Sequence, residues 1–538
     1  MAGGLLNIIS VGKANIILTG NPTKTFFKVA YSKYTNFGLQ KFRLDFEGLR
    51  ELRLSEPSKY TFKIKRYADL LMDTYLVVNL PDIWSPVWSP DSNTNNLWSP
   101  YDFKWIDNLG TQIIQDIEII CGSSTLQKYS GQYLNAMVKR DFNKQKLDLF
   151  NAMSGNIPSL NDPANDPARV ATYPYLPNTY PSAKYTTNTS GAEPSIRGRQ
   201  LYIPINSWFT LDSRCAFPLV ALQYQELNIN VTLRPIQDLF QVRDVFNYAD
   251  NFPYIKIRPG EDQFQLYRLL QTPPSSDLSS VNYNNKTSNW NADVHLLSTY
   301  CFLSENEQAL FAGQDQVYLV KEIYEYDFLN VVGSNRVKLQ SASGMVADWM
   351  WYFQRNDVFL RNEWTNYTNW PYKTIPSNII IDPSNNGLYI TGDYSPANHR
   401  PIMETFGILF GGDYREFTMP RGVFDYVEKY TRTAGFADEG LYCYNFCLNT
   451  SPYDYQPSGA VNTSRFKTVE FEFTTYTPPI DVSGSTVNVE CDANNNVIAI
   501  SEKPAWALYV YNYNLHVFEE RYNVLSFVGG NCGLMYAR

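Results

Sequence analysis

The sequence predicts a mostly β protein divided into at least two domains, and three observations predict it. The chain has 538 residues, well beyond the roughly 250–300 at which one hydrophobic core stops growing. Aromatic residues make up 15%, with 40 Tyr, 31 Phe and 11 Trp, and 31 Pro and 29 Gly recur between short apolar runs; this is the composition of short strands punctuated by turns. Strict apolar/polar alternation recurs along the chain, whereas the helical period is scarce.

The first clear strand surrounds Phe42, Leu44 and Phe46, which alternate with Lys41, Arg43, Asp45 and Glu47, so one face is buried and the other solvated. Phe62 and Ile64 alternate with Lys63 and Lys65 in the same way. The pattern returns at Leu227, Ile229, Val231 and Leu233, at Val469, Phe471 and Phe473, and at Val487, Val489 and Cys491 ahead of a turn at Asn494, Asn495 and Asn496. Two short helices are predicted at 130–139 and 305–312, too few to provide the crossovers of a parallel α/β sheet. Polar stretches rich in Pro, Asn, Ser and Tyr interrupt the strands at 82–101, 152–200, 271–291 and 362–400. Loops of such length carry function or contacts. The apolar-to-polar shift after Arg234 and Pro235 predicts an N-terminal arm over 1–25, a first domain over 26–236, a connector over 237–255 and a second domain over 256–538.

A net charge of -8 argues against coating nucleic acid by phosphate neutralisation. Residues 24–66 nonetheless hold eleven Lys or Arg against four Asp or Glu; a solvated strand face accounts for them, with an anionic membrane or acidic partner as the functional counterpart. The seven Cys are an odd number spread over a long chain with no predicted signal peptide, which reads as reduced thiols in a cytosolic setting without a disulfide framework. The apolar start breaks at Lys13 and Asn15, short of the run of about 18–20 residues that spans a bilayer.

The chain shows no enzymatic signature. His295, His399 and His516 have no second His or Cys at metal-ligand spacing, and Gly12-Lys13 is followed by Ala14 and not by Ser or Thr, so neither a metal site nor a phosphate loop is predicted. Cys443 and Cys447 read as small packing residues. No catalytic, cofactor-binding or metal-binding residue is assigned. Asn-x-Ser/Thr sequons occur at Asn188, Asn230, Asn285, Asn366, Asn449 and Asn462. Asn188, Asn285 and Asn366 lie in long loops and are the expected accessible glycosylation positions, whereas Asn230 lies on a strand.

Six separated blocks, in order, resemble the major capsid proteins of nucleocytoplasmic large DNA viruses. They are Leu18-Thr-Gly-Asn-Pro-Thr-Lys-Thr-Phe-Phe-Lys28 with Tyr34-Thr-Asn-Phe37; Trp105-Ile-Asp-Asn-Leu-Gly-Thr111 with Ile117-Glu-Ile-Ile-Cys-Gly122; and Leu201-Tyr-Ile-Pro204 with Trp208, Phe217-Pro-Leu-Val-Ala-Leu-Gln223 and Leu227-Asn-Ile-Asn230. The second half adds Leu303-Ser-Glu-Asn-Glu307 with Phe311-Ala312 and Tyr318-Leu319; Gln456, Pro457, Ser458 and Gly459 with Asn462-Thr-Ser-Arg465; and Tyr522-Asn-Val-Leu525 with Gly529-Gly530 and Gly533-Leu534. The segment from Gln456 to Arg465 is the most specific of these, and it reads as a structural turn, with Arg465 able to make bidentate contacts. The departures from the family pattern concentrate in the long loops.

The resemblance implies an all-β double jelly roll: two consecutive eight-stranded antiparallel rolls with few short helices and long surface loops. It implies a structural, non-enzymatic subunit with no cofactor. Three chains would form a homotrimer, a pseudo-hexagonal capsomer that tiles an icosahedral shell against neighbouring capsomers. Minor capsid or cement proteins, and possible proximity to an inner membrane, are implied beneath the shell, with no direct contact to nucleic acid. The location implied is the virion, assembled in the host cytoplasm. A minor capsid paralogue of the same fold, or a lectin-like or carbohydrate-active β-sandwich, would share this strand pattern.

Overall fold

The computed structural model describes residues 2–48, 51–85, 87–88, 99–100, 102–166, 194–243, 254–257, 264–272, 283–340, 344–373, 399–454, 456–477, 487–491, 497–502 and 511–536. Sixteen of its strands fall into two sets of eight. The first set is β1 (Phe37–Leu44), β2 (Ser58–Lys63), β3 (Leu70–Asn79), β4 (Ile114–Cys121), β5 (Ser124–Ser130), β6 (Gln200–Pro204), β7 (Leu227–Leu233) and β8 (His295–Leu303). The second is β9 (Gln316–Val331), β10 (Ser334–Lys338), β11 (Met345–Arg355), β12 (Met403–Phe410), β13 (Asp413–Pro420), β14 (Leu441–Asn445), β15 (Val469–Thr475) and β16 (Tyr513–Val528).

The two sets are wired alike. In the first, one sheet runs β1-β8-β3-β6 and the other β2-β7-β4-β5; in the second, β9-β16-β11-β14 faces β10-β15-β12-β13. Numbered within each set, both read 1-8-3-6 and 2-7-4-5, every pair antiparallel. This is the jelly-roll pattern of two sheets packed face to face, and it occurs twice in one chain.

Alternation sets which residues fill the space between sheets. Tyr60, Phe62 and Ile64 are buried while Lys59, Lys63 and Lys65 are exposed, and β7 and β15 bury every second residue as the sequence predicts. The strand Val487–Cys491 also forms, pairing with Val497–Glu502. In the second roll Trp351 stacks on Phe406 with ring centroids 4.2 Å apart, and Trp349 meets Phe471 edge-on at 5.0 Å. Two rings from one sheet thus interlock with two from the other.

β11 departs from alternation because it is buried on both faces. Trp349, Trp351 and Phe353 enter the core of the second roll, whereas Met350 and Tyr352 join the cluster that includes the core of the first. The β9-β16-β11-β14 sheet is therefore a shared wall, with a hydrophobic core on one side and the first roll on the other.

The expected boundary needs correction. β8, at 295–303, is hydrogen-bonded between β1 and β3 and completes the first roll, so that roll extends to Leu303, well past the predicted end at 236, and the second begins at β9. The polar shift after Arg234 marks the end of β7 and the start of a long insertion. The described part of 237–255 is no free connector either: Phe240–Val242 is buried and pairs with Phe103–Trp105. The predicted helices form at Gly131–Asp141 and Glu305–Gly313. Residues 2–36 contribute no buried side chain to either roll.

Candidate functional site

The seam between the rolls is built from a helix and a wall. Helix α1 (Gly131–Asp141) starts where Ser130 Oγ accepts a hydrogen bond from Tyr133 N at 3.1 Å, satisfying one of the free amides at its first turn. Its last turn puts Arg140 against the second roll. Arg140 Nη1 lies 2.6 Å from Asp348 Oδ1 on β11, and Nη2 lies 2.9 Å from Glu520 Oε1 on β16 and 2.8 Å from Asp141 Oδ2. Lys321 Nζ on β9 reaches Glu520 at 2.7 Å, Tyr133 Oη donates to Glu520 at 2.9 Å, and Thr450 Oγ1 donates to Asp141 at 2.6 Å.

This cluster is buried, so its charges act at low effective dielectric. Burial pushes Asp348 up to about 6, against the pull of Arg140. Burial opposes ionisation of Glu520 too, but Arg140 and Lys321 together hold it well below the usual carboxylate range. Three carboxylates share two cations, an arrangement that holds the rolls in one orientation and leaves any lone survivor of a deletion buried without its partner. Further along the seam, Lys139 Nζ lies 2.5 Å from Asp438, and Gln127 Nε2 donates to the Lys321 carbonyl at 2.9 Å.

At one end the rolls are joined by their insertions. Asn362 Nδ2 donates to the Phe240 carbonyl at 2.8 Å, Trp364 Nε1 to the Asp238 carbonyl at 2.9 Å and Tyr372 Oη to the Tyr254 carbonyl at 3.0 Å. The described parts of these long loops are contact-forming elements, as their length suggests.

The outer surface is apolar at the arm. Thirteen large apolar side chains between Leu5 and Tyr34 are exposed, with Leu18 at 88% and Phe27 at 98%. Phe37 and Leu39 continue this run onto β1, an edge strand, where they pair with Leu303 and Cys301 of β8. Such density of exposed apolar surface on an arm and an adjoining sheet edge marks an interaction surface. The basic stretch follows directly; within it Lys63 pairs with Glu226 at 2.7 Å on the surface.

The expected glycosylation positions separate. Asn285 is exposed, with its side-chain oxygen accepting from Thr287 N at 2.9 Å. Asn366 is a correction: it is 1% exposed, donates to the Trp370 carbonyl at 2.8 Å and accepts from Thr368 N and Oγ1. Its sequon is a buried turn with no room for a glycan. Asn188 lies outside the described residues. The segment at 456–465 is built into the second roll. Ser458 Oγ and the Asn449 backbone exchange hydrogen bonds at 3.1 Å, Asn462 pairs with Met345 at the start of β11 and caps the turn at Thr463–Arg465, and Arg465 is exposed. At Gly459, with φ +145°, an added Cβ would sit 2.6 Å from the Phe446 carbonyl. Gln456 N donates to Asp454 Oδ1 at 3.2 Å, and Pro457 leads into the turn.

The three histidines do not meet. His295 Nδ1 lies 2.7 Å from the Asp293 carbonyl, His516 Nδ1 lies 2.6 Å from Asp327, and His399 packs edge-on against Trp370. No group of three His, Cys, Asp or Glu with metal-ligand geometry occurs among the described residues. Cys443 and Cys447 are buried.

Residues 25–283 match the family model described as "Major capsid protein N-terminus". The major capsid protein of Paramecium bursaria Chlorella virus 1 is 23% identical over 548 aligned residues that span all of both chains. The chain is similar along its whole length to the major capsid proteins of large DNA viruses. The capsid-family match to the major capsid protein of Chrysochromulina ericina virus is 28% identical but local, covering 47% of this chain and 44% of that relative. In three dimensions the chain superposes on the quasi-atomic model of the PBCV-1 virus capsid with a TM-score of 0.60 at 18% identity, covering 96% and 100% of the two chains. At that identity the superposition establishes the double jelly-roll fold.

Proposed function

We propose that this chain is the principal building block of an icosahedral viral shell, acting as a homotrimeric capsomer with no chemical reaction of its own. The observation that carries the reading is the duplicated roll: two barrels of identical wiring, fixed to each other by a buried charged seam, in a chain aligned end to end with a viral major capsid protein. Three such chains around a threefold axis present six similar barrels, and a pseudo-hexagonal block tiles a flat facet. Closed threefold symmetry requires heterologous contacts between different faces of neighbouring subunits. The seam makes each chain a rigid pair of barrels, so those faces keep a fixed geometry.

In this reading the exposed arm and the β1 edge face other shell components, namely neighbouring capsomers and minor or cement proteins beneath them, with an inner membrane nearby. Assembly takes place in the host cytoplasm, and the shell does not touch nucleic acid directly. Light scattering on the purified full-length chain tests the reading. A mass of three times 61.8 kDa is expected, with obligate interfaces of on the order of 2,000 Å² or more per pair. A stable monomer at micromolar concentration would overturn it.

A further inference from the structure

Two of the seven cysteines face each other across the seam. Cys121 is the last residue of β4 in the first roll; Cys532 lies on the short strand Asn531–Leu534, which folds back on the end of β16 in the second. The two thiols shift each other's ionisation and share Gln225 as a partner, although 411 positions separate them in sequence. Both are buried.

Gln225 fixes the approach from the side of the first roll. Its Oε1 accepts from Cys121 Sγ at 3.4 Å and from Cys532 N at 2.7 Å, so one amide oxygen touches both residues. The turn of the C-terminal hairpin is held to the same loop, with Gln223 N donating to the Gly530 carbonyl at 2.9 Å. Gly530 carries positive φ there, and a Cβ on it would lie 2.8 Å from Gln223 Cβ. The backbone on each side is thus anchored independently of the sulfurs.

We propose that Cys121 and Cys532 are a reversible disulfide pair that staples the C-terminal hairpin of the second roll to the first roll when the protein passes from a reducing to an oxidising environment. The inference is independent of the shell reading, because both sulfurs belong to one chain. The oxidant is a low-molecular-weight disulfide of the glutathione type. When local opening of the C-terminal hairpin exposes it, Cys121, as thiolate, attacks one of its sulfurs and releases one glutathione thiolate; Cys532 then attacks the resulting mixed disulfide and releases the second. One S–S bond forms and one breaks, two protein thiols are oxidised, and their two protons end on the two glutathiones. The polarity of the pair suits this order. Cys532 pushes the Cys121 thiol down, and the nearby Arg66 guanidinium favours the same thiolate while burial opposes it; Cys121 and burial in turn push Cys532 up. Arg66 is itself held in place by its hydrogen bond to the Gln225 carbonyl at 2.8 Å.

The test exposes the purified full-length protein to glutathione disulfide, quenches with acid, alkylates under denaturing conditions and maps peptides without reduction. The expected product joins the Cys121 and Cys532 peptides with the loss of two hydrogens and no added glutathione. Free thiols at those positions disappear as a pair, and dithiothreitol restores all seven. The thermal midpoint rises on oxidation and falls back on reduction, and Cys532→Ser abolishes both the link and the shift. Should that variant not fold, the peptide map of the unmodified protein decides alone. Cys121 and Cys532 both remaining alkylatable while the half-exposed Cys215 takes up glutathione would overturn the proposal, as would either pairing with a different cysteine.

Discussion

Arg140 reaches from the last turn of α1 in the first roll to Asp348 on β11 of the second, Nη1 to Oδ1 at 2.6 Å, with both side chains at or below 1% exposure. A buried pair of this kind adds little net stability compared with an apolar replacement of both partners, yet removing one partner strands a charge. Arg140→Met should therefore cost about 3–5 kcal/mol, read as a fall in thermal midpoint. Asp348→Asn in the same chain should recover part of that loss, because the double variant strands one carboxylate fewer. Additive losses would show that the two residues do not act as a unit.

The turn at Gly459 offers a second measurement. Its φ of +145° and the 2.6 Å approach of an added Cβ to the Phe446 carbonyl leave no room for a side chain. Gly459→Ala should destabilise by on the order of 2–3 kcal/mol. Ser458→Ala, which only removes the exchanged hydrogen bonds with Asn449, should cost about 1 kcal/mol. Equal melting of the two variants would refute the steric account of this segment.

The strands that alternation reveals are legible in the sequence because one face of each is solvated, so that Lys59, Lys63 and Lys65 alternate visibly with Tyr60, Phe62 and Ile64. β11 is harder to place: its run from Val346 to Phe353 has no polar face to show, since the second face is covered by the other roll. The domain boundary is hidden because β7 and β8, consecutive strands of the roll, are separated by an insertion, and β8 finds its partners β1 and β3 only in space. The seam is invisible for the same reason. Arg140, Lys321, Asp348 and Glu520 are far apart in the chain, and the one local signal is an Asp set among Val346, Ala347, Trp349 and Met350. The sequon at Asn366 misleads because a long polar loop suggests exposure, whereas its described part is folded against the insertion of the first roll.

Asp102 should give the protein a pH dependence. Burial pushes its carboxyl up to about 7, against the pull of Arg243 and the hydrogen bond from Tyr254 at 3.2 Å, and its Oδ1 has no hydrogen-bond partner among the described residues. A folded-state value above the ordinary 3.8 means the folded protein holds the proton more tightly. The associated stability is complete below about 4 and is lost as pH rises through about 7. Asp102→Asn cannot ionise, so its stability relative to the unmodified protein, read from thermal midpoints, should improve between pH 5 and pH 8 by at most about 3 kcal/mol. A pH-independent difference would rule out this titration.

Removal of residues 2–24 should leave the oligomer and its melting unchanged, because this part of the arm, including the helix Gly3–Ile9, buries no side chain in either roll. Shell formation should fail or yield irregular particles, since the arm carries the densest exposed apolar surface described. Electron microscopy of assembly reactions and light scattering of the truncated subunit separate the two effects. A truncated chain that does not fold would place the arm in the core after all.

The basic stretch makes the last prediction. Lys59, Lys63 and Lys65 project from the solvated face of β2 and the residues following it, opposite Tyr60, Phe62 and Ile64, and among the described residues only Lys63 of the three is engaged in an ion pair, with Glu226. Exposed pairs contribute about 0–1 kcal/mol, so reversing all three to Glu should hardly move the melting of the isolated subunit. If this face meets an acidic partner in the shell, the same reversal replaces attraction by repulsion at every copy of the contact. Assembly should weaken most at low ionic strength, where the Debye length is about 30 Å at 0.01 M, and the difference from the unmodified protein should shrink near 1 M, where it is about 3 Å. Turbidity and particle counts across a salt series measure this directly. Normal assembly of the triple variant at low salt would assign the stretch to solvent, with its charges serving solubility alone.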